Sequence, residues 1–367
     1  MNSARSSRTS AGIAGLGRGL HGAVRAIVRD ALSQGVGRTL PTNATYHETM
    51  GLGAGTLQRA LDVLRDRGAL EVTSRGHLGR VIDSIDVGQC WQAAGLETVK
   101  LLLPPSGPIE IEVLDNRLAV ELSRLGIPHT VQHLRGGALR FESVCRGDHD
   151  LVVVSSGTFD SLLERLGEEK EAEDVPAQVA GSAAGSALGS AVGQAAASVG
   201  SGEGNAAGTD EAYEADRADQ RLSLATRRLE PGTYYGPGRL VVVSRTGSEP
   251  ALPLRVAIDR DSPDHMALTL GEFGDGPDIE LIDVPFPSVP ASVLRDLVDV
   301  GVWHTTRSVI PLDLAGLTTR PITSKARDAV AGAVLAASPS RPEMRSVLAE
   351  LDFTDLAAEQ QQAIEAE

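Results

Sequence analysis

The segment Thr39–Gly68, which reads TLPTNATYHETMGLGAGTLQRALDVLRDRG, constrains the fold of this chain more than any other stretch. Thr42 follows a proline and can cap a short helix. A GLG turn comes next, and the leucines after it are spaced four and three residues apart. They give a second helix one apolar face, with Gln58 and Arg59 on the opposite face. Because Gly68 is suited to end that helix, the segment predicts two short helices joined by a tight turn.

The residues on either side complete a small domain. From Leu20 to Leu32, apolar residues recur at helical spacing, which predicts an amphipathic helix. After the second short helix, ALEVT alternates like a strand, SRGHLG is a turn, and RVI is a returning strand. Three helices followed by a β-ribbon predict an α+β winged helix-turn-helix domain, which we place at residues 18–86.

Charge is distributed unevenly along the chain. Residues 1–80 contain eleven arginines, no lysine and five acidic residues, a net charge of +6; since the whole chain carries −15, the rest carries −21. A basic head on an acidic body is typical of a nucleic-acid-binding domain joined to a domain with another task. Aromatic residues make up only 3% of the chain, which disfavours single-stranded nucleic acid bound by stacking. We therefore predict that the partner is a double-stranded DNA operator.

The second helix of the predicted motif would enter the major groove, where base edges are distinguishable. Its first residues are small, so the backbone amides can approach a phosphate. Glutamine can bond adenine and arginine can bond guanine, while the wing tip can reach the minor groove. The predicted DNA-binding residues are Thr42, Ala54, Gly55, Thr56, Gln58, Arg59, Arg75 and His77.

Residues 38–82 resemble the DNA-binding domain of the GntR-type bacterial regulators. The resemblance rests on LPTNATYHETMGLGAGTLQRAL and on the wing GALEVTSRGHLGRVI, and it implies DNA contacts at the positions just given. At two positions where that family usually has an arginine, this chain has Ala54 and Gln58. Their loss predicts weaker binding with a shallower salt dependence, because fewer phosphates are neutralised. We expect residues 1–17, which carry Arg5 and Arg8, to be a flexible basic arm that compensates.

After Asp86 the pattern changes to alternating strands and helices. TVKLLLP, HTVQHL and LVVVSS read as strands separated by helices, which predicts a parallel sheet with right-handed crossovers. The IEIE stretch fits either a strand or the start of the first of these helices. A helix over Thr158–Leu166 ends this first set, and an acidic run with an Ala/Gly/Ser-rich tract follows. That tract lacks the side chains that build a core, so we predict a disordered insertion at residues 168–218.

A second set of strands and helices follows the insertion. RLVVVSR, LRVAID, IELIDVPF and VGVW read as strands, with one helix beginning at Ser262 and another over Val289–Val300. Further helices are predicted over Lys325–Ala336 and Arg341–Leu351. The fold class is therefore a winged helix-turn-helix followed by a two-lobed α/β domain at residues 90–167 and 219–350, with a C-terminal helix or tail at 351–367.

The two-lobed body resembles the type-2 periplasmic-binding-protein architecture that bacterial regulators use for sensing. With its head, the chain resembles YhfZ-type regulators through LRGGALRFESVCRGDHDLVVVSS, LEPGTYYGPGRLVVVSR, LRVAIDRDSPDHMALT and VGVWHTT. The resemblance covers residues 38–166 and 221–308. It implies a body that binds a small-molecule effector.

Ligands of open α/β sheets bind beyond the C-terminal ends of the strands. In this chain the turns PSG at 105–107, SSG at 155–157 and WHT at 303–305 follow predicted strands. Paired serines at a strand end offer hydroxyls and amides that suit an anionic effector, a carboxylate or phosphate; ordinary turn and capping roles are the alternative. The predicted effector-binding residues are Ser106, Gly107, Ser155, Ser156, Ser262, His265, Trp303 and Thr305.

The sequence contains no pattern typical of an enzyme, and we predict none. The histidines and the two cysteines, Cys90 and Cys145, lack metal-ligand spacing, and no glycine run is followed by the Lys-Ser/Thr of a phosphate loop. We therefore predict no metal and no cofactor. With two cysteines and no apolar run long enough to span a bilayer, we expect a cytoplasmic protein without a membrane segment.

Together these features predict a sequence-specific transcriptional regulator, acting as a homodimer on a two-fold symmetric operator, whose body senses the effector. The alternative is a solute-binding or sensor protein whose helix-turn-helix head docks a protein partner.

Overall fold

The computed structural model describes residues 17–76, 79–173, 224–249, 251–305 and 312–366. Its N-terminal part is the predicted winged helix-turn-helix. The three strands form one antiparallel sheet in the order β1-β3-β2. The elements are α1 (Arg18–Gln34), β1 (Thr39–Leu40), α2 (Asn43–Met50), α3 (Ala54–Asp66), β2 (Leu70–Ser74) and β3 (Arg80–Ile85).

Local signals place α2 and α3 as predicted. Thr42 caps α2, because its hydroxyl accepts a hydrogen bond from the Thr45 N–H at 3.2 Å. Gly51 ends α2 in the left-handed conformation with φ +66°, which allows the sharp turn into α3. The predicted inward leucines of α3 are buried, and Leu64 is fully buried. The apolar stripe of α3 thus packs on α1 and leaves the opposite face outside.

Helix α1 joins the head to the body. It packs on α3 on one side, and on α4 (Val87–Ala94) and α11 (Met344–Glu350) on the other. Ser346 of α11 donates a hydrogen bond to the backbone carbonyl of Leu32 at 2.6 Å, and Arg29 lies 3.5 Å from Glu343, which is fully buried. One continuous apolar core includes residues of the head and of the body.

The first lobe is a five-stranded sheet in the order β5-β4-β6-β13-β7. Strands β4, β5 and β6 are parallel, as predicted, whereas β13 runs antiparallel between β6 and β7. The IEIE stretch belongs to the first turns of α5 rather than to a strand. The elements are β4 (Val99–Leu103), α5 (Ile109–Arg124), β5 (His129–His133), α6 (Gly137–Arg146), β6 (Leu151–Ser155), α7 (Ser156–Glu173), β7 (Ala225–Pro231) and β13 (Gly332–Ala337).

The second lobe repeats this arrangement in the order β10-β9-β11-β8-β12. Here β8 is the antiparallel strand in the fourth position, so the two sheets have the same plan. The chain crosses between the lobes after β7 and again before β13. The elements are β8 (Leu240–Arg245), β9 (Leu254–Ile258), α8 (Pro263–Phe273), β10 (Ile279–Asp283), a 3-10 turn (Phe286–Ser288), α9 (Val289–Leu294), β11 (Val300–His304), β12 (Leu317–Pro321) and α10 (Ala326–Val330). The predicted two-lobed α/β fold class is confirmed.

Several predicted elements were wrong in detail. The helix predicted over Lys325–Ala336 is α10 followed by β13, because the alanine-rich run at 332–337 is a fully buried central strand. The helix predicted over Val289–Val300 stops at Leu294, since Asp296 adopts a positive φ of 61°. Strands β7 and β12, which are edge strands with mostly exposed polar residues, were not predicted.

Helix α7 extends through Glu173, past the Leu166 end that was predicted. Most of the predicted insertion at 168–218 lies outside the described residues, as do residues 1–16 of the predicted arm. The C-terminal segment at 351–367 contains helix α12 (Leu356–Glu365), which packs on α5 of the first lobe. Its Gln360 is 1% exposed and donates hydrogen bonds to the backbone carbonyls of Glu110 and Thr233.

Because Leu64 is buried in the α1–α3 contact, truncating its side chain should lower the free energy of unfolding by a large amount. Leu64→Ala should destabilise the protein by about 2–5 kcal/mol, because it removes buried methyl groups and leaves a cavity. Urea unfolding followed by circular dichroism measures the change. Val36→Ala is the matched control: Val36 is 60% exposed in the same domain, and its truncation should change stability by about 0.5 kcal/mol or less. Equal effects of the two substitutions would contradict this packing.

Candidate DNA interface and inter-lobe cleft

The face of α3 opposite its leucines is open to solvent. Gln58 and Arg59 are exposed and Thr56 is half-buried. Ala54 and Gly55 are also exposed, and α3 has no side-chain cap, so its first N–H groups face outward. A side chain added at Gly55 would meet nothing within 4 Å. The predicted contact residues of α3 are therefore placed on one accessible surface.

Hydrogen bonds to Asp62 and to one backbone carbonyl hold the polar side chains on this face. Gln58 Nε2 donates to Asp62 Oδ1 at 3.2 Å, and Arg65 donates to the same oxygen at 2.7 Å. Arg59 Nε donates to the carbonyl of Gly55 at 3.3 Å, and this bond does not use the two terminal nitrogens of the guanidinium group. The negative charge of Asp62 lowers the attraction that this face has for phosphate.

The wing is tied to the helix-turn-helix by one hydrogen bond between side chains. Arg80 of β3 donates to Asn43 Oδ1 of α2 at 2.8 Å. Arg75 is exposed at the wing tip, next to Gly76 with φ +60°, a conformation that glycine tolerates best. Thr42 is exposed, but its hydroxyl already caps α2. His77 lies outside the described residues.

The two lobes meet where the C-terminal ends of their parallel strands face each other, at the inter-lobe cleft. Three polar pairs connect the lobes there. Glu110 of α5 meets His304 at the end of β11, Thr158 of α7 meets Asp264 of α8, and Arg135 after β5 meets Asp259 after β9. All three acidic residues are at most 5% exposed. The cleft is therefore closed by protein side chains in this structure.

Glu110 is fully buried at the edge of the cleft. Its Oε1 accepts hydrogen bonds from the Gly236 N–H at 2.8 Å and from His304 Nε2 at 3.2 Å, and Arg239 Nε lies 3.9 Å away. Burial alone would raise the pKa of Glu110, but the hydrogen bond and charge of His304 and the backbone N–H groups outweigh it and lower that pKa. Glu110 is thus held ionised where the chain crosses between the lobes.

Asp264 lies deeper in the cleft. Its Oδ1 accepts a hydrogen bond from the Thr158 hydroxyl at 3.1 Å, and its Oδ2 accepts one from the Tyr235 hydroxyl at 3.0 Å. The nearby Ser155 hydroxyl acts to lower the pKa of this carboxyl group. Burial raises the pKa of Asp264, and these hydrogen bonds and the charge of Arg140 oppose that rise. The same burial, together with the charge of Asp264, raises the pKa of Tyr235 well above its ordinary value.

Arg140 is the buried cation of the first lobe, at 2% exposure. Its guanidinium donates to the backbone carbonyls of Val153 and Leu134 at 2.8 and 2.7 Å and to the Tyr234 hydroxyl at 2.9 Å. These acceptors are neutral, so the positive charge of Arg140 remains available to a nearby anion.

The structure distributes the predicted effector-binding residues among different roles. Ser155 is buried in the cleft, where its hydroxyl accepts from the Thr158 N–H at 3.1 Å. Ser156 bonds the backbone of Ala329 and of Gly332. Ser106 is exposed, and Gly107 after it has φ +131°.

The remaining predictions in the second lobe are mostly structural residues. His265 is fully buried with both ring nitrogens bonded, Nδ1 to the Asp259 N–H at 2.8 Å and Nε2 to the Val302 carbonyl at 2.9 Å. Both ring nitrogens of His265 thus have protein partners in this structure, and its role as an effector ligand stays a prediction. Ser262 caps α8, Trp303 packs against the apolar core of the lobe, and the Thr305 hydroxyl donates to the Arg239 carbonyl at 3.2 Å.

Sequence analysis missed the residues that connect the lobes. Glu110 lies in the IEIE stretch whose state was left open, and Asp264 was noted only as a favourable acid in a first helical turn. Tyr235 and Arg140 stand inside motifs that supported the family resemblance, without an assigned role. The sequence feature that could have pointed to these residues is the tyrosine pair in GTYYG. Buried tyrosines usually hydrogen-bond through their hydroxyls, so a pair between two lobes indicates polar contacts there.

Neither a metal site nor a membrane-spanning helix is present in the part of the chain that the structure describes. Over the ranges given above, no group of three or more histidine, cysteine, aspartate or glutamate residues is arranged to hold a metal ion. Within the same ranges, no helix is long and apolar enough to cross a membrane.

The geometry defines a two-part protein, a winged helix-turn-helix head joined to a two-lobed α/β body. Residues 36–82 match the model of a helix-turn-helix domain, and residues 210–367 match the model of the YhfZ C-terminal domain. The predicted resemblance of the C-terminal part of the chain to YhfZ-type proteins is thus confirmed.

Individual proteins resemble the chain over most of its length. It is 24% identical over 346 residues to the uncharacterized protein YhfZ of Escherichia coli (strain K12), and the match covers 94% of each chain. A crystal structure of YhfZ from Shigella flexneri is similar with 20% identity and a TM-score of 0.47, covering 77% of this chain and 96% of that one. The periplasmic aliphatic sulphonate-binding protein SsuA of Escherichia coli is similar with 14% identity and a TM-score of 0.40, covering 74% and 77%.

Glu110→Gln tests the buried charge in the cleft. The variant keeps the shape of the side chain but weakens the bonds to Gly236 and His304, so it should be about 1–3 kcal/mol less stable at pH 7. Because the folded-state pKa of Glu110 is lowered, this difference should be complete above its ordinary value of 4.5 and disappear as pH falls through the lowered pKa. Chemical denaturation of both proteins across pH measures it.

Glu164→Gln on the exposed side of α7 is the control for Glu110→Gln, and it should not change stability at any pH. A stability difference for Glu110→Gln that grows as the pH is lowered would contradict the assignment of an ionised Glu110.

Proposed function

We propose that this protein is a sequence-specific, DNA-binding transcriptional regulator of the cytoplasm whose two-lobed body senses a small-molecule effector, and that it acts as a homodimer. The observation that carries the proposal is the exposed face of α3, where Thr56, Gln58 and Arg59 stand beside an uncapped helix N-terminus. A helix with this composition fits the major groove, since glutamine and arginine hydrogen-bond base edges there. The resemblance of the head to GntR-type domains supports the same orientation.

The charge distribution supports DNA rather than protein as the partner of the head. The first 80 residues carry +6, and the remainder carries −21. A duplex attracts the head and repels the body, so the body remains off the DNA. We assign no catalytic role to the chain.

The modest positive charge of one recognition helix supports the proposal of a dimer. On α3, Arg65 is paired with Asp62, which leaves Arg59 as the cation at the centre of the exposed face. One such helix supplies few phosphate and base contacts, and two helices spaced by one helical turn of DNA multiply them.

The packing of α1 on both α3 and α11 supports the transmission of an effector signal from the body to the head. The head is therefore fixed to the first lobe, and the second lobe moves against that unit when the cleft opens or closes. In a dimer, this movement changes the spacing of the two heads if the second lobes contribute to the dimer contact. The effector must favour one lobe arrangement over the other for this coupling to occur. We propose that it is anionic.

Arg59→Ala combined with Arg75→Ala tests the docking of the head. The double variant should lose operator binding by at least tenfold, because it removes one groove contact and one wing contact. The thermal unfolding of the body should not change, since both side chains are exposed. Electrophoretic mobility shift with duplexes enriched by the protein from random DNA measures the binding, at several salt concentrations.

Arg165→Ala with Arg295→Ala is the matched control, because it removes the same charge from exposed positions of the two lobes. This control should bind like the wild type. Unchanged binding of the head variant, or equal losses in both variants, would contradict the proposed docking. A wild-type chain that shows no sequence-dependent shift would instead favour a protein partner for the head.

The oligomeric state gives a second prediction. Light scattering should give twice the mass of the 38.3 kDa chain at micromolar concentration, and the enriched DNA should contain an inverted repeat with half-sites about 10 base pairs apart. A monomer that binds a single, non-repeated site would contradict the dimer.

A further inference from the structure

The inter-lobe contact of Asp264 has the composition of an anion-binding site. We call Ser155, Thr158 and Tyr235 the Asp264 site. The hydroxyls of Tyr235 and Thr158 donate to the carboxylate at 3.0 and 3.1 Å, and the Ser155 hydroxyl accepts from the Thr158 N–H beside them at 3.1 Å. Ser155 and Thr158 belong to the first lobe, and Tyr235 belongs to the segment that crosses between lobes. The carboxylate itself comes from the second lobe.

The backbone of the first lobe approaches the same carboxylate. A side chain at Gly157 would lie 2.9 Å from Asp264 Oδ1, so only glycine allows this closeness between the carboxylate and the first turn of α7. The N-terminus of an 18-residue helix carries partial positive charge and stabilises anions. Arg140, buried in the same lobe with neutral hydrogen-bond partners, adds a positive charge that opposes, without cancelling, the rise that burial causes in the pKa of Asp264.

The role of Asp264 in its own helix does not explain this arrangement. Ser262 is the N-cap of α8 and accepts from the His265 N–H at 3.3 Å. The carboxylate oxygens of Asp264 accept instead from hydroxyls across the cleft. Burying an acidic group at 3% exposure is costly unless donors compensate it, and here the donors belong to the other lobe and the crossing segment.

We propose that Asp264 acts as a tethered carboxylate ligand, which occupies an anion site of the first lobe and closes the two lobes without an external ligand. The proposal rests on the proposed function, because the Asp264 site belongs to the same sensory cleft. It defines the ligand class of that site as a carboxylate. It also means that the resting state of the protein is the closed one.

Removing the tethered carboxylate should leave a site that a free one can fill. Asp264→Ala keeps the first side-chain carbon and deletes a group of the size and charge of formate. We expect the variant to melt about 4 °C or more below the wild type. Sodium formate should raise its melting temperature in a saturable manner, because a ligand that binds only the folded state stabilises it. Sodium chloride at the same concentration should not raise the melting temperature of the variant. Formate should not raise that of the wild type, because Asp264 already fills the site.

A double variant separates site binding from a general salt effect. In Asp264→Ala with Thr158→Val, one hydroxyl donor is absent, and the response to formate should fall at least tenfold in apparent affinity. Small-angle X-ray scattering should show a larger radius of gyration for Asp264→Ala than for the wild type, and formate should reverse the expansion. No response to formate, or an equal response in the double variant, would overturn the proposal.

Asp264→Asn covers the case in which the alanine variant does not fold. It fills the same volume without the charge, so its lobes should separate and its radius of gyration should increase. If Asp264→Asn kept the lobes as compact as they are in the wild type, the proposal would be overturned. None of these measurements involves DNA, so a result that overturns the Asp264 proposal does not affect the proposed DNA binding. In the same way, the absence of a mobility shift does not affect the Asp264 proposal.

Discussion

The packing of α1 between the recognition helix and the body is the contact on which the rest of the structure depends. α1 buries its apolar stripe against α3, and its other side lies on α4 and α11. Bonds from Ser346 to Leu32 and from Arg29 to Glu343 add polar connections to this apolar contact. A helix that is shared by two domains cannot reorient in one without disturbing the other. The position of the exposed α3 face is therefore set by the first lobe.

The second lobe is attached in a different way. The polar contacts across the cleft centre on three buried acidic residues, Glu110, Asp259 and Asp264. The apolar core that includes α1 also continues to Leu268 and Val302 of the second lobe. Polar contacts of this kind exchange readily for water when the lobes separate, whereas the apolar α1 contact does not. The position of the second lobe therefore depends on charge and hydrogen bonds as well as on apolar packing.

Much of the head was predictable because its signals are local. The Thr42 cap, the glycine turn and the spacing of the leucines on α3 act within a few residues of each other. The cleft was not predictable, because its pairs are distant in sequence: Glu110 and His304 are separated by 194 positions, and Thr158 and Asp264 by 106. The prediction for the β13 segment was wrong for another reason. A short, fully buried alanine-rich run has no polar face, so periodicity cannot separate a strand from a helix.

Hydrogen–deuterium exchange of the full chain with a mixed-sequence DNA duplex at low ionic strength tests the central claim most directly. Low salt strengthens sequence-independent binding, so the operator need not be known. We expect slower exchange over the first turns of α3 and over the wing strands β2 and β3, with no change at the outer surfaces of either lobe. Protection confined to the lobes, or binding that leaves α3 unprotected, would contradict it.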